Sequence, residues 1–491
     1  MLSSIRVKPI IRTAAFVIIL AAVVAGGAFA QEIPSDTWMG IYLGQSKIGY
    51  ARFRIDKADH LGKQGYRLDS LSVTRIVAMG TEVEQTLDTS VYLDKSFAPT
   101  YQIFKMSSGG HTTTVTAVFD AKEITAQTTS EGSKTIKRIP IPPGSKIVGD
   151  NTYIPNAPKM KIGDKSNFKC FNPLTLSLDD LQTEVLRKEM TAIGGESWDA
   201  FVVKSTSPLG DMTCWQNDKG EVLKVIALMG ITMLREPKDA AQSLADHSGA
   251  YTPPADLAVI TSAQTTTKIP YPRYAKYMKA QLSGLNDKSL AINDNRQQVT
   301  HIVGDNPSTV YEIHASELDF TKAVNLPIKD SSLDKYLADS TYIQPSNQEI
   351  VDQAKKIAGQ EKNSAKVVSQ LRGWVNANMT AKGDIGIMRS SVDVLHARTG
   401  VCRDYAVLYA SLARASGIPT KLVAGLVYWE GGFYYHAWAE SYIGWWVPLD
   451  ATVSTDFVDA THIKLAEGEA SAMFDMVKTM GNLKAVIEEF K

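Results

Sequence analysis

Apolar and polar residues alternate with a period of two through much of residues 31–245. Side chains two apart share one face of a strand, so this period predicts half-buried β-structure. The segments 38–56, 66–77, 82–93, 100–105, 112–119 and 123–128 read as strands, and so do 198–204, 211–216 and 222–228. Many are rich in Thr, Val, Tyr and Ile, with turn residues between several of them. Residues 174–191 read as partly helical. Such a series predicts a large curved sheet or incomplete barrel. Pro237, Ser248-Gly249 and Pro253-Pro254 then interrupt the pattern, and alternation resumes over 255–332, most clearly at 299–303 and 309–315. We expect a small separate β domain there. From Ser346 the period lengthens to that of a helix, with Ile350, Ala354, Ile357 and Ala358, then Val367, Val368, Leu371, Trp374 and Val375.

The segment 398–452 carries the chemistry. Thr399 and Gly400 interrupt regular structure; from Cys402 onward Ala406, Tyr409, Ala410 and Ala413 recur at helical spacing, until Gly417 and Pro419 stop the run. Cys402 thus falls in the first turn of a close-packing helix. The unpaired N–H groups and positive dipole end there favour an anion, and so the thiolate. Three strands follow at 421–429, 433–441 and 445–451, a β-meander. If Tyr442-Ile443-Gly444 is a three-residue hairpin loop, Ser441 faces Trp445 and His436 stands directly opposite Asp450 on the same face, about 5 Å away at Cβ. A two-residue loop would put them on opposite faces.

Each residue has an ordinary reading by itself. A buried cysteine on an apolar helix is small core filling, a histidine in a strand is a hydrogen-bonded structural residue, and an aspartate at a strand end caps a turn. Together they are a nucleophile, a base to take its proton and a carboxylate to orient that base. His396, six residues before Cys402, is assigned a structural or rim role because it lies apart from the meander.

Four blocks carry a family resemblance: Gly400-Val401-Cys402-Arg403-Asp404-Tyr405-Ala406, Ala415-Ser416-Gly417-Ile418-Pro419, His436-Ala437-Trp438-Ala439-Glu440 and Pro448-Leu449-Asp450-Ala451-Thr452. Their order and spacing resemble the transglutaminase-like superfamily of papain-like cysteine enzymes, over roughly the last third of the chain. The resemblance implies a multidomain protein in which all-β domains precede an α+β core, residues 333–491, with the cysteine helix packed on the antiparallel meander. It implies that Cys402 is the nucleophile, His436 the base and later acid, and Asp450 the residue orienting His436. The family forms a thioester from an amide or ester carbonyl and resolves it with an amine or water. The backbone N–H of Cys402 is the natural oxyanion donor. Trp374 is a candidate second donor or a core residue, and Trp445 and Trp446 are candidates to line a substrate groove or to cover the sheet. The strand series at 31–245 loosely resembles exported β-barrel-like domains, with a docking role as plausible as ligand binding.

Composition narrows the setting. Arg6, Lys8 and Arg12, an apolar run over 14–25 and Ala28-Phe29-Ala30 before Gln31 read as a cleaved secretory signal over residues 1–30. We therefore expect a periplasmic protein without an integral membrane anchor after cleavage. The 52 basic and 52 acidic residues are well mixed, so nothing marks a nucleic-acid partner. No histidine has metal-ligand spacing with a cysteine or another histidine, and neither a metal nor a cofactor is expected. Cys170 and Cys214 are either a disulfide, stabilising by about 4 kcal/mol, or two buried thiols. The expected partner is a peptide or protein substrate, with the cell envelope as one source. The contrasting expectation is a non-catalytic envelope binding or scaffold protein, in which the β-rich domain does the work.

Overall fold

The computed structural model describes residues 33–491 except 79, 131–132, 150–159, 245–254, 286, 305–306 and 384–387. The expected export signal lies outside the described residues. Contacts divide the rest into two compact units, ending and beginning at Asp256 and Leu257. Among the described residues, no helix is long and apolar enough to cross a membrane.

The first unit is one fifteen-stranded sheet. Eight strands, from Ser35–Leu43 to Ser133–Pro140, run outward in chain order. The remaining seven return from Ile147–Val148 to Ile231–Arg235, and this last strand pairs antiparallel with the first. The sheet curves until its two halves meet. Phe119 and Phe171, from opposite halves, pack edge to face at 5.9 Å. Burial alternates residue by residue, as in Glu123–Ser130, where Ile124, Ala126, Thr128 and Ser130 point inward.

One expectation for this unit needs correction, and one open alternative is decided. Residues 174–191 are not helical: Ser177–Ile193 is a long strand. Leu178, Leu181 and Val185 mimic a helical i, i+3, i+7 stripe, but pairing on both edges fixes the segment as a strand. A register shift between Val185 and Arg187 lets apolar Leu186 face outward. Cys170 and Cys214 are buried but form no disulfide. Cys170 lies on Lys165–Asn172 and Cys214 on Gly210–Gln216, three strand spacings apart. At about 4.8 Å per spacing, that separation is far beyond the reach of an S–S bond.

The second unit combines a helical layer with two sheets. The helices Gln348–Ala358, Ser364–Asn378 and Ser391–Ala397 surround a central helix, Cys402–Ala415. This central helix is buried from Cys402 through Arg414, which explains its small-residue composition. It packs on strands Thr420–Trp429 and Gly432–Tyr442. The sheet order is Ala263–Gln264, Gly432–Tyr442, Thr420–Trp429, His462–Gly468, with Trp446–Leu449 also pairing with Gly432–Tyr442.

Residues 255–332 are not a domain apart. Ala263–Gln264 joins the sheet beside the central helix. Tyr277–Ser283, Gln297–Ile302 and Ser308–His314 make a four-stranded sheet that only the C-terminal strand Lys484–Phe490 completes. Without that distant partner, Tyr277–Ser283 would present an open edge. The tail contributes two short helical turns, Ala472–Asp475 and Val477–Thr479.

Candidate active site

The cysteine helix starts on a preorganised corner. The Asp404 carboxylate reaches back to accept the Val401 N–H at 2.9 Å. Buried Arg389 donates to the Thr399 carbonyl at 2.5 Å and lies 3.4 Å from the Asp404 carboxylate. Gly400 makes room for this: a Cβ there would come within 2.6 Å of the Asp404 carboxylate and 2.9 Å of the Arg389 guanidinium. The first N–H groups of a helix have no intrahelical acceptor, so the N–H of Cys402 is available to a ligand oxyanion at the position the sequence suggests.

Cys402, His436 and Asp450 converge. The Ala437 N–H donates to Cys402 Sγ at 3.3 Å, placing the sulfur beside the histidine strand. His436 Nε2 lies 2.8 Å from Asp450 Oδ2. His436 Nδ1 makes no hydrogen bond within the protein, and the charge of Cys402 acts on this imidazole. All three residues are 1% exposed.

The hairpin differs from expectation by two residues. The loop is Ile443-Gly444-Trp445, so Tyr442 pairs with Trp446 and Ala439 with Leu449. Gly444 takes the left-handed conformation at φ 109°. Asp450, just past the strand end, thus falls level with Trp438 rather than His436. An even shift preserves the face, and the Asp450 side chain reaches His436 on the diagonal.

Electrostatics sharpen the arrangement. Burial pushes the His436 pKa down, but the Asp450 and Cys402 charges and the hydrogen bond to Asp450 outweigh it and raise the pKa to about 9. Burial would likewise raise Asp450; the charges of His436 and His462 and the hydrogen bonds from both rings instead hold this carboxyl well below the usual range. Asp450 Oδ1 also accepts the Thr452 N–H at 2.8 Å and the Thr452 hydroxyl at 2.7 Å. The carboxylate is fixed by four donors.

The ring contacts found for the other candidates are with side chains outside the triad. Trp446 packs edge to face on Tyr336 and Tyr442, with Lys421 Nζ 4.4 Å from its ring. It covers the turn end of the hairpin together with half-buried Trp445. Trp374 is half-buried under the Arg398 guanidinium, 4.6 Å away. His396 is exposed and bonded to Glu349 at 2.7 Å.

Sequence reasoning missed four contributors. Trp438 stacks on His436 at 6.0 Å between ring centroids. Buried Arg403 experiences the Cys402 and Asp404 charges as attractive. Gly425 pairs with His436, and a Cβ there would sit 2.0 Å from the Ile463 carbonyl and 2.8 Å from the Trp438 ring. His462 Nε2 lies 3.2 Å from Asp450 Oδ2. A repeated tripeptide could have signalled this last residue: Asp450-Ala451-Thr452 recurs as Asp459-Ala460-Thr461, directly before His462. Among the described residues, His436, Asp450 and His462 are the one group whose donor atoms converge within 4.8 Å as metal ligands would. Hydrogen bonding among the three already accounts for that convergence.

Comparison with known proteins agrees with the geometry in kind. Residues 40–233 match a family described as a protein of unknown function. An uncharacterized protein of Mycobacterium leprae (strain TN) is 26% identical over 191 residues, 34% of this chain and 67% of its own length. A structure described as a candidate cysteine protease from Cytophaga hutchinsonii is 19% identical, covering 44% of this chain and 86% of that one, with a TM-score of 0.32. A β-barrel-like protein of unknown function from Brucella abortus is 9% identical, covering 42% and 97%, also with a TM-score of 0.32. Residues 351–451, which supply the cysteine helix, the histidine strand and Asp450, match and belong to the transglutaminase-like superfamily, a cysteine-enzyme fold.

Proposed function

We propose that this chain is an exported cysteine acyl-transfer enzyme that hydrolyses amide bonds in peptides or proteins, with the periplasm as its compartment and cell-envelope peptides as its substrates. The observation that carries this reading is the burial of Cys402, His436 and Asp450 together, with Cys402 Sγ held against the histidine strand by the Ala437 N–H and His436 hydrogen-bonded to Asp450. Cys402 Sγ attacks the carbonyl carbon, and the N–H groups at the helix start receive the oxyanion. As the C–N bond breaks, the His436 imidazolium gives its proton to the departing amine, leaving a thioester. Water then attacks, His436 takes its proton, and the acid leaves as Sγ departs. Asp450 holds the imidazole tautomer throughout. An amine in place of water would give transamidation, so the choice of acceptor rests on what reaches the thioester. The test is incubation of the purified protein with cross-linked envelope peptides, reading products and the Cys402 peptide by mass spectrometry. Released amine together with an acyl adduct on Cys402 is expected; neither product nor adduct would end the proposal.

The burial of Cys402, at 1% exposure, favours a second reading in which the core is a non-catalytic scaffold. Cys402→Ala separates the two. A cellular effect that survives the substitution in a folded variant supports the scaffold, and a lost effect supports chemistry.

A further inference from the structure

Beyond Asp450 the buried line continues through groups that the acyl-transfer scheme does not use. His462 Nε2 lies 3.2 Å from Asp450 Oδ2, and its Nδ1 lies 3.3 Å from Asp459 Oδ1. Asp459 Oδ2 is 3.0 Å from Arg273 Nη1. Arg273 is anchored in turn by Nη2, which donates to the Tyr428 carbonyl at 2.7 Å and to the Thr461 hydroxyl at 2.9 Å. His462 and Asp459 are fully buried and Arg273 is 4% exposed.

The two carboxylates are gripped in the same way. Asp459 Oδ1 accepts the Thr461 N–H at 2.9 Å and the Thr461 hydroxyl at 2.6 Å, as Asp450 does from Thr452. Each Asp-Ala-Thr turn therefore presents its carboxylate to one nitrogen of His462. An ionised carboxylate only accepts hydrogen bonds. A ring with a carboxylate at each nitrogen is satisfied at both only when both nitrogens carry protons.

We propose that His462 is a positioning residue: a permanently protonated imidazolium, held between Asp450 and Asp459, that fixes the Asp450 carboxylate and moderates its pull on His436. The inference rests on the acyl-transfer reading and deepens it. Along the line Cys402, His436, Asp450, His462, Asp459 and Arg273, charge alternates from thiolate to guanidinium and sums to zero. That balance lets six ionisable groups share a dry interior, where an unpaired charge would be costly.

The wider surroundings agree. Burial pushes His462 down, yet the Asp459 charge and the carboxylates facing both ring nitrogens raise it overall, against the opposing charge of Arg273. His436 faces it edge to face at 5.7 Å and Trp438 at 5.4 Å. Arg296 meets the backbone of this corner, donating to the His462 and Asp459 carbonyls at 3.0 and 2.9 Å. Lys464, two residues along the strand, is occupied by Glu440, Glu467 and Asp294.

A unit charge 5.7 Å from His436, at an effective dielectric of about 20, corresponds to a shift of about 2 pH units. The test is a titration of the histidine rings by 15N NMR in the full chain, with His462→Gln and His436→Ala giving the assignments. The proposal expects His462 of the native protein to be doubly protonated through pH 7.5. It expects the His436 midpoint to rise by about 1–2 pH units in His462→Gln. Asp459→Asn is the second variant: by removing one carboxylate it should bring His462 into titration at lower pH. A His462 that is neutral at pH 7.5 or below in the native protein would overturn the proposal whether or not the variants fold. So would an unmoved His436 midpoint in a folded His462→Gln. Iodoacetamide alkylation of Cys402, measured across pH on the same samples, reports separately on the acyl-transfer reading. An ordinary thiol titration there would overturn that reading, and with it the role given to His462.

Discussion

Asp450→Asn is a nearly isosteric change with a large calculated effect. Asp450 Oδ2 receives two imidazole donors and Oδ1 receives the N–H and hydroxyl of Thr452. Asparagine keeps one oxygen and turns the other into an NH2 donor, which must then face one of these donor pairs. Turned towards the imidazoles, it loses two charge-assisted hydrogen bonds, at about 1.5–3 kcal/mol each. Turned towards Thr452, it meets a backbone N–H that cannot rotate away. The first orientation costs the folded state about 3–6 kcal/mol. The proton affinity of His436 falls too. Removing a carboxylate charge about 4 Å away corresponds to about 3 pH units at an effective dielectric of about 20. His436, held at about 9 in the native protein, would then no longer be an imidazolium at neutral pH. The assay is urea unfolding followed by tryptophan fluorescence, with Cys402 alkylation measured at pH 6–9. The expected outcome is a midpoint lowered by roughly 1–2 M urea and an alkylation profile moved towards that of an ordinary thiol. An unfolding midpoint within experimental error of the native one, with an unchanged alkylation profile, would refute the reasoning.

The elevated His436 pKa predicts that amide turnover, which needs the imidazolium, falls as pH rises through about 9, while alkylation of the thiolate persists; parallel loss of both would contradict the assignment. The same shift has a stability consequence. The folded state binds this proton more tightly, so its contribution is fully present below about pH 6.5 and is lost as pH rises through about 9, readable as a falling melting temperature. Gly425→Ala places a Cβ 2.0 Å from the Ile463 carbonyl and should cost about 2–4 kcal/mol in chemical denaturation; a neutral result would show that the strands can separate freely. Arg389→Met leaves the Asp404 carboxylate buried without its cation and should cost about 3 kcal/mol, with slower Cys402 alkylation as the helix start loosens. Native stability and alkylation in that variant would remove Arg389 from the account.

The parts that were legible in the sequence are those with local causes. Cys402 follows a helix start set by Gly400 and Asp404, each two residues from it. His436 and Asp450 lie on neighbouring strands of a short meander, so alternation and a glycine turn suffice to place them on one face. The hairpin register was misplaced by two because both Tyr442-Ile443-Gly444 and Ile443-Gly444-Trp445 are three-residue loops containing Gly444. Pairing Tyr442 with Trp446, where their rings meet at 5.6 Å, favours the second. Ser177–Ile193 was misread because a bulge shifts its apolar positions away from a strict period of two. The closure of the small sheet by Lys484–Phe490 depends on a pairing some two hundred residues long in sequence, and nothing local announces it. His462 did carry a local signal, the repeated Asp-Ala-Thr before it. Arg273, which completes the line, is hidden as that strand is, because it comes from the segment before the helices.

The central claim is that Cys402 and His436 form a thiolate–imidazolium pair. Its most direct test is the rate of Cys402 alkylation by iodoacetamide across pH, in the native protein and in His436→Ala. The account predicts a reaction that persists well below the ordinary thiol pKa of about 8.5 and loses that low-pH limb without His436. Two superimposable profiles, each titrating as an ordinary thiol, would contradict it.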